Sequence, residues 1–257
     1  MNILVCMKAV PSTGQVQVDG QFKLQRDGAK LEWNVADQSA LEAALQLKGA
    51  DGTVTVITMG PQKLEESMRE LLARGADRVI LMTDPAFAGS DTFATANALS
   101  MAIRTIGMFD LILCGRRAID GETGQVPPML ACALGIPCIT NACSVSATEQ
   151  ILQVERHLEC GKEYIKLPCP AVISVSEYTY QLRLPGIMGM RKAREKTIEI
   201  LRISDLKTDA GNFGLQGSLT KVVRMDSKFP GLRKGPKSEN VSDAIHQIIA
   251  SIKEARQ

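Results

Sequence analysis

The sequence predicts an α/β fold built on a parallel sheet, and three observations carry that expectation. Short apolar runs alternate with runs of helical spacing through the first two-thirds of the 257-residue chain. Runs such as Ile3-Leu4-Val5-Cys6 and Val79-Ile80-Leu81-Met82 lack the polar alternation of a half-solvated sheet, so helices are expected on both faces. The apolar run Phe109-Asp110-Leu111-Ile112-Leu113 passes into a Gly-containing, hydroxyl-bearing loop and then into a helical run. In such folds ligands bind at the C-terminal ends of the strands.

The elements follow in order. A first strand covers Ile3 to Met7, and residues 16–31 alternate with Gly and Asp breaks, the pattern of a hairpin excursion. Asn34 looks like the N-cap of a helix over Val35 to Lys48, whose Ala40, Leu41, Ala44, Leu45 and Leu47 fall at near-helical spacing. Val54 to Ile57 is the next strand and Leu64 to Ala73 the next helix, then the strand Val79 to Met82 and the helix Thr92 to Ile106. After the strand ending at Leu113 comes a helical run from Met129 to Leu134.

From about Ala142 the texture turns to β segments: Leu152-Gln153-Val154, Tyr164-Ile165-Lys166 and Val172-Ile173-Ser174-Val175. The run Lys162 to Val175 resembles a strand pair added to the sheet. Residues 204–238 are irregular, with Pro230 and Pro236, and an amphipathic helix spans about Val241 to Ala255. These features divide the chain into an α/β domain, 1–203, and a C-terminal arm, 204–257. A long irregular arm ending in a helix suits wrapping a partner, and the same composition also suits a disordered tail.

Composition bounds the function. A net charge of +2 and 4% aromatic residues argue against a nucleic-acid surface. The seven cysteines (Cys6, Cys114, Cys132, Cys138, Cys143, Cys160, Cys169) form no C-x-x-C pair and are expected to be reduced core thiols. With only His157 and His246 available, no metal site is expected, and His157, among Glu155, Arg156 and Glu159, is expected at the surface. No apolar run approaches the ~20 residues needed to cross a bilayer, and no basic lead or cleavage site precedes the first strand. The expected location is cytoplasmic.

The stretch 114–128, Cys-Gly-Arg-Arg-Ala-Ile-Asp-Gly-Glu-Thr-Gly-Gln-Val-Pro-Pro, carries the most chemistry. A helix N-terminus presents unpaired backbone N–H groups and partial positive charge, and glycine lets the backbone approach an anion, so a phosphate fits here. The same residues also make an ordinary βα turn.

Together the pieces resemble the beta subunit of electron transfer flavoproteins over essentially the whole chain. The resemblance rests on Ile3 to Lys8 with Pro11, and on Asn34 followed by Ala40-Leu41-Glu42-Ala43-Ala44. It continues through Gly75-Ala76-Asp77-Arg78 and Gly115 to Asp120 with Gln125, then Leu167 to Val172 and Leu184 to Met188. It implies a Rossmann-like adenine-nucleotide-binding fold with added β segments and a long C-terminal arm, in a heterodimer with an alpha subunit. It implies a nucleotide against Cys6, Asn34, Val35, Ala36, Asp37, Met59 and Gly60, and against the loop Cys114, Gly115, Asp120, Gly121, Glu122, Thr123, Gly124, Gln125 and Val126. Asp120 would orient the loop or meet the ribose, and amides from Gly121 to Val126 would hold the diphosphate, with the Thr123 hydroxyl. Position 127 departs from the family pattern: Pro127 stands where the family shows glycine, which removes an N–H donor and fixes φ.

Two branches of the family differ in what this site holds: a structural AMP, or a second FAD. The segment 86–96 looks like the FAD-binding, electron-bifurcating pattern, with Asp91, Thr92 and Thr95 opening a helix under the flavin ring. In that reading the subunit's FAD takes hydride from NADH. Electrons then divide between the alpha-subunit FAD with its flavin-dependent dehydrogenase, and ferredoxin or flavodoxin. No residue of this chain is assigned a catalytic role. On spacing alone Asp91 is an N-cap with two polar residues in the first turn. The loop 181–190 sits where the family presents its dehydrogenase-docking loop, with Leu184, Pro185, Ile187 and Met188 as contacts; a leucine here also suits a core position. The alternatives are a non-bifurcating electron carrier with structural AMP, and a stand-alone AMP- or ATP-binding module.

Overall fold

The computed structural model describes residues 1–12, 17–18, 24–25, 30–148, 150–206, 208, 210–223 and 240–254. The chain opens with β1 (Asn2–Cys6), β2 (Ala9–Pro11), β3 (Gln17–Val18), β4 (Leu24–Gln25) and β5 (Leu31–Trp33). Then follow α1 (Val35–Leu47), β6 (Thr53–Met59), a 3-10 turn at Gln62–Leu64, α2 (Glu65–Ala73), β7 (Arg78–Met82), α3 (Thr92–Ile106), β8 (Leu111–Gly115) and α4 (Val126–Leu134). The second half holds β9 (Cys138–Thr148), β10 (Ile151–Leu158), β11 (Gly161–Pro168), β12 (Ala171–Val175), α5 (Ile187–Glu195) and β13 (Glu199–Leu201). It closes with the one-turn α6 (Gly214–Gly217) and α7 (Val241–Glu254).

One nine-stranded sheet organises these elements, in the order β11-β10-β9-β12-β8-β1-β6-β7-β13. From β9 through β13 in that order, neighbours run parallel, while β9, β10 and β11 form an antiparallel meander at one edge. The strand residues alternate between two cores. Ile3 and Val5 pack with Leu41, Ala44, Met68 and Leu71 of α1 and α2, whereas Leu4 and Cys6 pack with Ala96, Leu99 and Leu130 of α3 and α4. The sheet is thus covered on both faces, as the unbroken apolar strands require. Each fully buried leucine or isoleucine contributes about 2 kcal/mol.

The helices over the first two-thirds lie where the spacing puts them, with α3 at Thr92–Ile106. Helix α4 begins three residues before the expected Met129, with Pro127 and Pro128 in its first turn, where missing N–H groups cost no intrahelical bond. The excursion over 16–31 holds the antiparallel pair β3–β4; Val16, Phe22 and Lys23 lie outside the described residues.

Four expectations are corrected. Lys162 to Val175 is not a strand pair: β11 pairs only with β10 at the edge, while β12 inserts between β9 and β8. The last four residues of the expected loop 181–190 are helical, since α5 spans Ile187–Glu195, and Gly189 packs so close to α2 that a Cβ there would stand 2.3 Å from the Ala73 carbonyl oxygen. The start of the irregular segment is built into the domain, since Leu206 and Phe213 are core residues. Of the seven cysteines only Cys6 and Cys114 are fully buried, while Cys132 and Cys160 are exposed. The arm's Pro230 and Pro236, and Ala255, lie outside the described residues. Among those described, no helix is long and apolar enough to cross a membrane.

Candidate nucleotide site at the switch in strand order

Strand β1 has β6 on one side and β8 on the other. The chain runs outward from β1 through β6 and β7 and then returns across the sheet to β8, which makes the β1–β8 boundary a topological switch point. The C-terminal ends Cys6, Met59-Gly60, Cys114-Gly115 and Val175 share one edge there, and Cys6 lies directly opposite Cys114. Helices α3 and α4 pack side by side on one face, and each starts after a strand of this parallel set. Their N-termini therefore both open at the edge where such folds bind ligands.

Beneath this edge lies a buried polar clamp. The Asp37 carboxylate accepts the Lys8 amide at 2.7 Å through Oδ2 and the Gly115 amide at 3.0 Å through Oδ1. It thereby ties the end of β1 to the end of β8. A Cβ at position 115 would sit 2.1 Å from Asp37 Oδ1, so this approach requires glycine. Burial pushes the Asp37 carboxyl up to about 7, against the lowering pull of its hydrogen bonds with the Lys8 amide, the Asn34 side chain and the Gly115 amide.

Asn34 occupies the N-cap position of α1 but its side chain caps nothing in that helix. Fully buried, it donates through Nδ2 to the Arg117 carbonyl at 2.9 Å and accepts the Ile119 amide at 3.2 Å. The expected cap is therefore a clamp on the β8–α4 loop. A neighbouring peptide offered the asparagine two partners at once, where its own helix offered one. The Lys8 ammonium pairs with Asp120 at 2.7 Å, which fixes the middle of the loop.

The loop itself divides into a committed half and an open half. Gly121 and Glu122 give their amides to the Ala118 carbonyl, at 3.3 and 2.8 Å, and Glu122 adopts φ +49. These two N–H groups are thus spent within the turn. The amides of Thr123, Gly124, Gln125 and Val126 have no hydrogen-bond partner among the described residues, nor does the Thr123 hydroxyl. Gln125 stands at the N-cap of α4 without a side-chain cap, and Pro127 and Pro128 bring no N–H. An uncapped helix start with consecutive free amides is the donor set that a phosphate completes.

At α3 the start is closed. Asp91 Oδ1 accepts the Ala94 amide at 2.9 Å, a true N-cap, and Oδ2 is also engaged within the chain. Burial alone would raise this carboxyl, but the amides of Ala94 and Thr220 and the Thr220 hydroxyl hold it below the ordinary carboxylate range. The hydroxyls of Thr92 and Thr95 are partly exposed and make no hydrogen bond among the described residues. Val35, Met59 and Gly60 are half-buried at the same edge, and Ala36, Cys6 and Cys114 are buried beneath it.

Sequence reasoning missed Glu177. It pairs with Arg117 at 2.9 Å and lies 3.8 Å from Arg116, so the segment after β12 holds the β8–α4 loop from outside. Sixty residues separate Glu177 from Arg117, and no local pattern announces such a pair. The same segment leads to the loop 181–190. Tyr180 exchanges hydrogen bonds with Ser39, and Arg183 forms a forked pair with buried Glu42. Beyond this anchor Leu184 is 84% and Ile187 81% exposed, so the core alternative for Leu184 is excluded. Ile187 and Met188 are the first residues of α5 rather than loop. His157 is exposed and lies 3.3 Å from Glu155.

Comparison with known proteins accords with this architecture. Residues 21–206 match the electron transfer flavoprotein domain. The chain is 41% identical to the electron transfer flavoprotein subunit beta of Thermoanaerobacterium thermosaccharolyticum, over 97% of this chain and 96% of that protein. It is 39% identical to the subunit of the same name from Megasphaera elsdenii, over 97% and 95%. It is 35% identical to the caffeyl-CoA reductase–Etf complex subunit CarD of Acetobacterium woodii, over 98% and 96%. The chain belongs to the electron transfer flavoprotein family, among its beta subunits.

Proposed function

We propose that this subunit holds FAD at the β1–β8 switch and serves a bifurcating electron transfer flavoprotein. The observation that carries the proposal is the pair of unlike helix starts at one sheet edge. The free amides from Thr123 to Val126 suit a diphosphate, and the unengaged Thr92 and Thr95 hydroxyls suit an uncharged polar ring. The residues fit such a group: a glycine-lined strand end and a helix start that no carboxylate among the described residues caps. When bound, the flavin supplies hydride acceptance from NADH and one-electron transfer to the alpha-subunit FAD and to ferredoxin or flavodoxin.

This chain's own part is to bind, orient and exclude water. Asp37 and Asn34 fix the two strand ends and the loop between them. Lys8 and Glu177 hold the loop from either side through Asp120, Arg116 and Arg117. Leu184, Pro185, Ile187 and Met188 are proposed to meet the dehydrogenase, and the CarD likeness favours one acting on acyl-CoA. The exposed stripe Val241, Ile245, Ile248, Ile249 and Ile252 of α7 is proposed to meet the alpha subunit. That stripe also weighs against a stand-alone nucleotide-binding module.

A second reading, structural AMP in a single-electron carrier, is favoured by the Asp91 carboxylate being fully engaged within the chain. Cofactor content separates the two. The alpha–beta complex is purified and denatured, and released FAD and AMP are quantified by chromatography. Two FAD and no AMP per heterodimer is the expected result. One FAD with one AMP would replace bifurcation with the carrier reading, and neither nucleotide on this subunit would sink the site itself.

A further inference from the structure

The loop that opens α3 is also where the C-terminal segment fastens to the domain. Phe213 stands edge-on to Phe87, with ring centroids 5.4 Å apart and the planes at 67°. The Gly214 amide donates to Ser90 Oγ at 3.0 Å, in a φ +59 conformation where a Cβ would meet the Ala86 carbonyl oxygen at 2.3 Å. The Ser218 hydroxyl accepts the Asp91 amide at 2.9 Å and donates to the Gly214 carbonyl at 2.6 Å. Asp91 Oδ2 accepts the Thr220 amide at 2.8 Å and the Thr220 hydroxyl at 2.9 Å. After Thr220 the residues Lys221, Val222 and Val223 are exposed.

We propose that Asp91 is a latch, one carboxylate that holds the C-terminal arm at Thr220 and the first turn of α3 at Ala94, so that fastening of the arm and order of the Thr92–Thr95 turn are coupled. Two oxygens on one rigid group serve three donors, and only one of those donors belongs to the helix. When the arm is fastened, its two donors restrain the carboxylate in the orientation that caps α3. When it is released, the carboxylate regains rotational freedom and the cap becomes one of several solvated states. Among the described residues of the arm before α7, Thr220 is the last with a hydrogen bond to the domain. The Asp91 side chain is thus the contact nearest to α7 along the described arm, and the Asp91 amide on Ser218 and the Ser90 hydroxyl on Gly214 back it up. The functional weight of the latch rests on the reading of the α3 start as cofactor-facing.

The test uses the full alpha–beta complex and measures amide hydrogen exchange at Thr220 and Ala94, together with the release rate of the nucleotide bound to this subunit. Asp91→Asn keeps one capping oxygen but supplies an amide where the arm needs an acceptor, and is expected to speed exchange at Thr220 tenfold or more. The arm-side double variant Ser218→Ala, Thr220→Val leaves Asp91 intact and is expected to speed exchange at Ala94 several-fold, with a parallel rise in nucleotide release. Unchanged Ala94 exchange in the double variant, with Thr220 exchange raised, would overturn the coupling. Faster Ala94 exchange with unchanged nucleotide release would uphold the latch and overturn the cofactor-facing reading of α3.

Discussion

Helices α3 and α4 start at the same edge of the same sheet and lie side by side, yet their first turns are finished in opposite ways. Helix α3 is capped by the charged carboxylate of Asp91, which is further held by Thr220. Helix α4 has Gln125 at its N-cap with no side-chain cap, two prolines in its first turn and, among the described residues, no partner for the amides of residues 123–126. A helix start already neutralised by its own carboxylate repels a second anion, whereas an uncapped start attracts one. In the proposed reading this difference is why the anionic part of the ligand goes to α4 while α3 serves as a neutral, hydrogen-bonding partner.

The harshest way to break the comparison is to remove the clamp beneath it. Gly115→Ala places a methyl 2.1 Å from Asp37 Oδ1 and 2.7 Å from the Asp37 nitrogen, so β8 and α1 must separate. A loss of about 3 kcal/mol or more in chemical denaturation is expected, with the β8–α4 loop released and nucleotide binding abolished.

Asp37 itself gives the next effect, and its sign is fixed by the direction of the shift. The folded carboxyl titrates near 7, above its ordinary 3.8, so the native state keeps a proton that the unfolded chain has already released. Its contribution to stability is fully present below pH ~4 and is lost as pH rises through ~7, an amount of order 4 kcal/mol for about three pKa units. Glu42 and Glu177 behave oppositely. Burial would raise both, but hydrogen bonds, those from Arg183 and Arg117 included, hold them low, and their contributions are lost only at more acidic pH. Stability of the wild type minus that of Asp37→Asn is therefore expected to fall between pH 4 and 7 and to be level above it. A level difference across that window would mean that Asp37 is ionised throughout.

Closing the open helix sharpens the comparison directly. Gln125→Asp supplies α4 with the carboxylate cap that α3 already has. Helix and fold are expected to gain about 0.5–1 kcal/mol, while affinity for the phosphate-bearing ligand drops tenfold or more. A variant that gains stability and keeps its affinity would place the phosphates elsewhere.

Most of the scaffold for this contrast was legible in the sequence. Buried parallel strands announce themselves by unbroken apolar runs, and α1, α2 and α3 by spacing, because each signal is local. The β8–α4 loop was legible for the same reason. Its support was not: Asn34 sits where a cap belongs, yet it serves a peptide more than eighty residues away, and only the fold brings the two together. Asp91 was legible as a cap but not as the anchor of Thr220, 129 residues further on. Helix α5 was hidden because Gly186 and Gly189 read as loop residues until the contact of Gly189 with α2 is seen. Strand β12 reads in the sequence as half of an added strand pair because its central place in the sheet depends on β8 and β9, which flank it in space but not in sequence.

The smallest effect on the protein is expected at Thr92 and Thr95, and it isolates the neutral half of the comparison. Neither hydroxyl has a hydrogen-bond partner among the described residues, and both residues stand in the first turn of α3 behind an intact Asp91 cap. Thr92→Val and Thr95→Val keep the β-branched shape and remove only the hydroxyl, so stability is expected to change by no more than about 0.5 kcal/mol. Any change in cofactor behaviour is then a change in what the hydroxyls do for the ligand rather than for the fold. If a flavin ring rests on this turn, the double variant is expected to shift that flavin's absorbance and reduction potential while the alpha-subunit FAD stays unchanged. A spectrum and potential identical to wild type would confine the ligand to the α4 side of the cleft, an AMP-sized occupant held by the open helix alone.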